Sequence, residues 1–150
     1  MKLYTLNIHV VGTTKIYQKF KVSIRDWMGM PNLTEECKSF ENLGRTLIIG
    51  GDGVLGTALR SLAYKLDLNF VFTSRSLNAF SPGNFLDLNQ IPGKAFFAGF
   101  STIIYLAQSR EYRSYPEGLA DLVQLNIIAP TELAKIAEQI DSKFVFFSTG

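Results

Sequence analysis

The segment from Arg45 to Leu59, RTLIIGGDGVLGTAL, constrains the fold more than any other part of the chain. Its residues 46–49 are apolar or β-branched and predict a buried strand. A glycine-rich turn follows at 50–53, and a helix is predicted from Val54 to about Lys65. Glycines allow a phosphate to approach the backbone closely, and a helix start offers unpaired N–H groups to an anion. This order of elements is typical of a dinucleotide-phosphate cradle.

The spacing of the glycines supports this interpretation only in part. Gly50, Gly53 and Gly56 fit the pattern GxxGxxG, and counting from Gly51 also gives GxGxxG, which is not independent because Gly50 and Gly51 are adjacent. We expect Gly56 to let the helix pack close to the sheet. Asp52 would repel a pyrophosphate, so we expect its side chain to point away and cap the helix. The alternative is a glycine-rich turn in an α/β core that holds no ligand.

Composition excludes several classes of protein. A length of 150 residues, 47% of them hydrophobic, suits one domain with a sizeable core. The net charge of +2, without a block of basic residues interleaved with aromatics, argues against a nucleic-acid partner. The single cysteine fits a reducing compartment. The single histidine has no second metal ligand nearby. No apolar run reaches the length of a membrane span. We therefore predict a cytoplasmic protein with no membrane segment and no metal site.

The chain divides into two parts. Residues 1–43 form an N-terminal extension, in which β-forming residues on both sides of Gly12 predict a hairpin and Thr34 starts a short helix. No chemistry is evident there. Residues 44–150 form the second part, which alternates strand and helix.

Within the second part, strands are predicted at 68–73, 102–107 and 143–147, and a helix at 119–140. Pro130 should kink or restart this helix, and Thr131 is a candidate cap for its second piece. Consecutive βα units predict an α/β fold with a parallel sheet and helices on both faces. Ligands of such sheets bind beyond the carboxyl ends of the strands, so the residues that follow the strands should converge.

Two residues after the second strand bear on the choice of cofactor. In NAD-binding folds an acid about 20 residues after the glycines holds the ribose hydroxyls, whereas an arginine accepts a 2′-phosphate. Here the strand ends in Ser74-Arg75 without an acid, which favours NADP, with NAD possible as the second choice. The alternative is that Arg75 is a surface arginine that follows a strand. Asp87 is a candidate acceptor for an adenine amino group, or else a solvated carboxylate in a turn.

An ordered series of motifs makes residues 45–150 resemble the start of an extended short-chain dehydrogenase/reductase, nearest to the dehydrorhamnose reductase and sugar epimerase group. The segments that carry the resemblance are IGGDGVLG at 49–56, Arg75, LDL at 86–88, IIYLA at 103–107, NIIAPTELA at 126–134 and FFST at 146–149. The resemblance implies a Rossmann-like fold and leaves residues 1–43 unexplained.

The resemblance also implies a role for each matching residue. The pyrophosphate would meet the turn glycines and the backbone N–H groups at the helix start: Gly50, Gly53, Val54, Leu55 and Gly56. The other implied contacts are Ser74 and Arg75 at the 2′-phosphate, Asp87 and Leu88 at the adenine, and Ala107 and Gln108 at the nicotinamide-side ribose. Thr149 would be the catalytic Ser/Thr that hydrogen-bonds the substrate oxygen. The implied ligands are a dinucleotide and a nucleotide-sugar.

One departure from the family bears on activity. The family has a Tyr-x-x-x-Lys pair after this Ser/Thr, in which the tyrosine is the general acid/base. Here the only such pair, Tyr17 and Lys21, precedes the glycine turn and is taken as coincidence. We therefore expect a truncated NAD(P)-binding portion of a nucleotide-sugar reductase or epimerase that is not catalytically competent alone. The alternative is a non-enzymatic Rossmann-like interaction or sensor module.

The last predicted strand has a consequence for association. If residues 143–147 form an open sheet edge, their unpaired N–H and C=O groups invite another strand. We expect self-association, or pairing with a missing catalytic half, unless residues 1–43 cover that edge.

Overall fold

A computed structural model describes residues 7–11, 43–76, 85–111 and 114–148 of the chain. These residues form one sheet flanked by helices. In chain order the elements are β1 (Asn7–Val11), β2 (Thr46–Ile49), α1 (Val54–Lys65), β3 (Phe70–Thr73), a 3-10 helix (Lys94–Phe97), β4 (Thr102–Tyr105), α2 (Leu119–Val123), a π-helix (Gln124–Ile128), α3 (Ala129–Gln139) and β5 (Lys143–Ser148).

The sheet has the strand order β1-β5-β4-β2-β3, and β2 to β5 are parallel to one another. Ile49 is in register with Thr73 of β3 and Tyr105 of β4, and Tyr105 is in register with Phe146 of β5. The carboxyl ends of these strands therefore lie along one edge of the sheet, as the sequence predicts. The fold is α/β and Rossmann-like.

Both faces of the sheet are covered. Along β2, Ile48 faces a core shared with Ala63 of α1, whereas Leu47 faces a core shared with Leu125 and Leu133 of the helices after β4. All five side chains are buried. Strands buried on both faces consist of continuous apolar and β-branched residues, which explains why β2 and β4 show no polar alternation.

The long helix predicted at 119–140 is divided by a π-turn just before Pro130. The N–H of Ala129 donates to the carbonyl of Gln124, five residues back. In this pattern the next donor would be Pro130, which has no N–H, so the carbonyl of Leu125 is available and accepts the hydroxyl of Tyr105 at 2.5 Å. The prediction of a cap by Thr131 is wrong, because its hydroxyl donates to the carbonyl of Ile127 within the helix at 2.6 Å.

Strand β1 pairs antiparallel with β5, from Asn7 opposite Ser148 to Val11 opposite Phe144. The edge along residues 143–147 is therefore covered by a strand of the N-terminal extension, which is the exception that the sequence left open. The argument for self-association or a missing half at this strand loses its basis. The predicted second strand of the hairpin and the helix at Thr34 lie outside the described residues.

No helix in the described ranges combines the length and the apolar character needed to cross a membrane.

Candidate functional site

At the carboxyl ends of β2 and β4, in the middle of the sheet, the chain connections diverge. The connection after β2 leads to β3 on one side, and the connection after β4 leads to β5 on the other side. Loops that diverge in this way open a ligand-binding crevice between their strands. The N–H of Leu106 donates to the carbonyl of Ile49 at 2.8 Å and holds the two strand ends together at its base.

Two glycines of the turn are required by close packing. Gly50 has a φ of 88°, and a Cβ there would lie 2.6 Å from the backbone nitrogen of Ala107. A Cβ on Gly56 would lie 2.5 Å from the Cα of Gly51 and 2.6 Å from the carbonyl oxygen of Gly50. The N–H of Gly51 donates to the carbonyl of Thr73 at 2.9 Å, so the turn is fixed to β3. Neither position has room for a side chain, because the atoms in the way belong to the backbone.

Gly53 differs from these two glycines. Its φ of −75° is open to any residue. Among the described atoms, the nearest to a Cβ at Gly53 is the carbonyl oxygen of Gly50, at an ordinary contact distance of 3.4 Å. The fold thus has no evident need for a glycine at this position, although the motif has one there.

The start of α1 is open. Gly53 is its N-cap residue, and in this described helix neither a side-chain cap nor an acidic residue lies in the first turn. The prediction that Asp52 caps the helix is therefore wrong. Val54 is 89% exposed and Leu55 is 50% exposed, so two apolar residues flank uncapped N–H groups. An uncapped helix start with no acid in its first turn suits an anion.

Arg60 supports the turn from the helix, although it is not among the residues predicted for the site. Its Nη2 donates to the carbonyl of Gly51 at 2.8 Å, and its guanidinium lies 5.1 Å from the centroid of the Phe72 ring. Burial lowers the pKa of Arg60, and the Asp52 carboxylate opposes that shift. The signal in the sequence was its position four residues after Gly56, on the same face of the helix.

At the end of β3, Ser74 fixes the backbone around Arg75. Ser74 is buried, its hydroxyl accepts the N–H of Ser76 at 3.0 Å, and its carbonyl accepts the N–H of Leu86 at 3.0 Å. A bridge between Ser74 and Phe85 brings the segment with Asp87 beside Arg75.

The two predicted adenine contacts differ in placement. Asp87 is half-buried, and its Oδ1 accepts the backbone N–H of Asn89 at 2.9 Å and the side-chain amide of Asn89 at 3.1 Å. Leu88 is buried in the core, and its carbonyl accepts the side-chain amide of Gln124 at 2.7 Å. Asp87 is thus the more accessible of the two.

An acid from α2 meets Arg75. Nη1 of Arg75 lies 4.0 Å from Oδ1 of Asp121, and the other carboxylate oxygen accepts the hydroxyl of Ser109. The N–H of Ser109 faces Oδ1 of Asn126 at 3.4 Å. Burial raises the pKa of Tyr105, and the charge of Asp121 raises it further. Neither Asp121 nor Ser109 is predictable from the local sequence, since nothing local relates residue 121 to residue 75.

Most of the predicted site residues lie at one edge of the sheet. Those in the turn, at the helix start and after β3 and β4 are Gly50, Gly53, Val54, Leu55, Gly56, Ser74, Arg75, Ala107 and Gln108. Ala107 is half-buried and Gln108 is exposed. Thr149 lies outside the described residues, directly after the end of β5.

Neither a model of a known protein family nor a curated protein sequence matches the chain. Solved structures do match. MoeE5 in complex with UDP-glucose and NAD is 21% identical, with a TM-score of 0.54 over 66% of this chain and 34% of that chain. A short-chain dehydrogenase/reductase superfamily protein from Agrobacterium tumefaciens with bound NAD is 14% identical, with a TM-score of 0.54 over 65% and 30% of the two chains. The L-threonine dehydrogenase of Clostridium difficile is 25% identical, with a TM-score of 0.51 over 68% and 35%.

These likenesses establish the fold. The chain spans about a third of the length of each of these structures, from 30% to 35%.

Proposed function

We propose that the chain binds a nicotinamide dinucleotide in the crevice between β2 and β4. The observation that carries this proposal is Gly53, a motif glycine for which the packing around it gives no reason. A ligand pyrophosphate supplies the reason, since the second glycine of such a turn lets the backbone approach it. The uncapped start of α1 supports the same assignment, because its N–H groups and dipole favour an anion.

In this proposal each group of residues holds one part of the dinucleotide. The pyrophosphate lies against Gly53 and the N–H groups of Val54 and Leu55. The adenosine end lies toward Arg75 and Asp87, and the nicotinamide end extends toward Ala107 and Gln108, at the carboxyl end of β4. The bound nicotinamide would supply hydride transfer, and the described residues would hold and orient it.

The proposed family is the extended short-chain dehydrogenase/reductases. The ordered motifs support it, and so does the likeness to MoeE5, which is solved with NAD and with UDP-glucose or UDP-glucuronic acid. We propose that the chain is the cofactor-binding portion of a nucleotide-sugar reductase or epimerase. Thr149 would contact the substrate oxygen, and the chain would not turn over by itself, because its only Tyr-x-x-x-Lys pair precedes the glycine turn.

The first test is Gly53→Ala. A Cβ at this position meets only ordinary contacts, so the free energy of unfolding should change by less than about 1 kcal/mol. The same methyl group would separate the backbone from a pyrophosphate, so we expect the Kd for NADPH to rise at least about tenfold. Nicotinamide fluorescence during titration with NADPH and NADH measures the affinity, and urea unfolding measures the stability.

Gly93→Ala is the matched control, since a Cβ there has no described atom within 4 Å and lies in the loop before the 3-10 helix. Equal affinity of the parent and Gly53→Ala for NADPH would contradict the proposed cradle. Absence of binding by the parent at millimolar dinucleotide would reject dinucleotide binding itself.

The proposed preference for NADP has its own test in Arg75→Ala. A hydrogen bond to a charged group contributes about 1.5–3 kcal/mol, so loss of a contact to the 2′-phosphate should lower the affinity for NADPH by about tenfold or more. The affinity for NADH should change much less. Lys135→Ala is the control, because it removes the same charge from an exposed position on α3. An equal loss of affinity for both dinucleotides would show that Arg75 does not contact the 2′-phosphate.

One observation favours the second candidate, a non-enzymatic interaction module. Strand β1, from the N-terminal extension, adds to the sheet beside β5 and couples the extension to the Rossmann-like core. If the parent chain binds neither dinucleotide, the extension becomes the functional region to investigate.

A further inference from the structure

The ion pair of Arg75 and Asp121 joins two elements that are far apart in the chain. Arg75 follows β3 and Asp121 lies on α2, after β4, and β2 lies between these two strands. The 4.0 Å contact between Nη1 of Arg75 and Oδ1 of Asp121 therefore joins the loop after β3 to the helix after β4. The acid beside Arg75 thus comes from a different βα unit.

Asp121 is held in place by its neighbours. Ser109, which is 5% exposed, donates its hydroxyl to one oxygen of Asp121, and the other oxygen faces Arg75. The hydroxyl of Ser109 also accepts the N–H of Glu111 at 3.1 Å, so the serine is itself fixed in the loop after β4. The carboxylate is therefore oriented toward the guanidinium before any ligand arrives.

The position of this carboxylate matters because the chain has no acid at the end of β3. In dinucleotide folds an acid there accepts hydrogen bonds from the ribose hydroxyls, and an arginine there binds a 2′-phosphate. Here Arg75 occupies the position after the strand, and Asp121 supplies the acid from a different element. Both kinds of recognition group are then present together at one place.

We propose that Asp121 is a residue that determines cofactor specificity at this site, where it competes with the 2′-phosphate for Arg75 and so lets the site accept NAD as well as NADP. The inference rests on the proposed dinucleotide site. A 2′-phosphate carries close to two negative charges and is repelled by the carboxylate. A ribose with free hydroxyls is not repelled, and it can donate a hydrogen bond to the same oxygen.

The test uses two probes that differ only in the 2′-phosphate: adenosine 2′,5′-bisphosphate and adenosine 5′-monophosphate. Asp121→Asn removes the charge and keeps an oxygen for the hydroxyl of Ser109. We expect calorimetry to show that this variant binds the bisphosphate about tenfold more tightly than the parent does. Its affinity for the monophosphate should be no higher than that of the parent. Ser109→Ala, which loosens the carboxylate, should shift the ratio of the two affinities in the same direction by a smaller factor.

Glu132→Gln is the matched control, because it removes one acidic charge from the exposed first turn of α3. If Asp121→Asn leaves the ratio of the two affinities unchanged, or if Asp121→Asn and Glu132→Gln both bind the two probes more tightly by the same factor, the inference is overturned. The proposed dinucleotide site is unaffected by either result. Failure of the parent chain to bind either probe overturns both.

Discussion

Gly56→Ala is expected to lower the free energy of unfolding by about 3 kcal/mol, near the upper end for overpacking of a well-packed site. The new methyl group would lie 2.5 Å from the Cα of Gly51 and 2.6 Å from the carbonyl oxygen of Gly50. Neither atom belongs to a flexible side chain, so α1 must move away from the turn. Alanine is the better helix former by about 1 kcal/mol, which offsets only part of this cost. Urea unfolding followed by circular dichroism measures the change.

Gly93→Ala again provides the comparison, since the same methyl group there enters open space. The displacement of α1 should also disrupt the hydrogen bond between Arg60 and the carbonyl of Gly51, which joins the same helix to the same turn. A urea midpoint for Gly56→Ala equal to that of Gly93→Ala would show that the helix does not approach the turn as closely as described.

The glycine motif illustrates how far the sequence alone could predict the site. Strand, turn and helix around Gly50, Gly53 and Gly56 follow from local apolar pattern and glycine content, and the structure has all three elements in the predicted order. The pattern treats the glycines alike, but only two of them are required by the fold. This distinction depends on atoms of Ala107, more than fifty residues away, and of the turn itself, which a local pattern does not contain.

Long-range pairing explains the main errors. The pairing of β1 with β5 joins residues 7–11 to residues 144–148. An antiparallel strand added to a parallel sheet leaves no mark on the apolar pattern of either strand, so the sequence could not decide whether residues 1–43 cover this edge. The contact between Arg75 and Asp121 was missed for the same reason, since it forms only once β4 and α2 are placed beside β2 and β3.

The segment between β3 and β4 shows a different limit of the sequence pattern. A doubly wound sheet commonly has a helix in each such connection. Here the described part of the connection, residues 85–101, has a single 3-10 helix, Lys94–Phe97. The apolar sequence at 94–100 does not by itself indicate a helix, because a turn of 3-10 helix is too short to show a period. Coverage of the sheet therefore depends on individual apolar side chains.

Phe97 is the most deeply buried of these side chains. It is 0% exposed and belongs to the same core as Leu47, Ile103 and Leu133. Phe97→Ala is therefore expected to lower the free energy of unfolding by about 3–5 kcal/mol, through lost transfer energy and the cavity left behind. For a chain of this size that is a large part of the usual stability of about 5–15 kcal/mol. Thermal and urea unfolding measure the loss.

The adjacent Phe96 is the matched control, because it is the same residue on the same 3-10 helix and is 37% exposed. The two rings contact each other edge to face, with centroids 5.0 Å apart, so Phe96→Ala should still cost about 1 kcal/mol. Equal losses in the two variants would mean that the 3-10 helix does not present Phe97 to the core. A large loss of unfolding free energy confined to Phe97→Ala would show that one aromatic side chain from a short 3-10 turn fills the core between the sheet and the helices after β4.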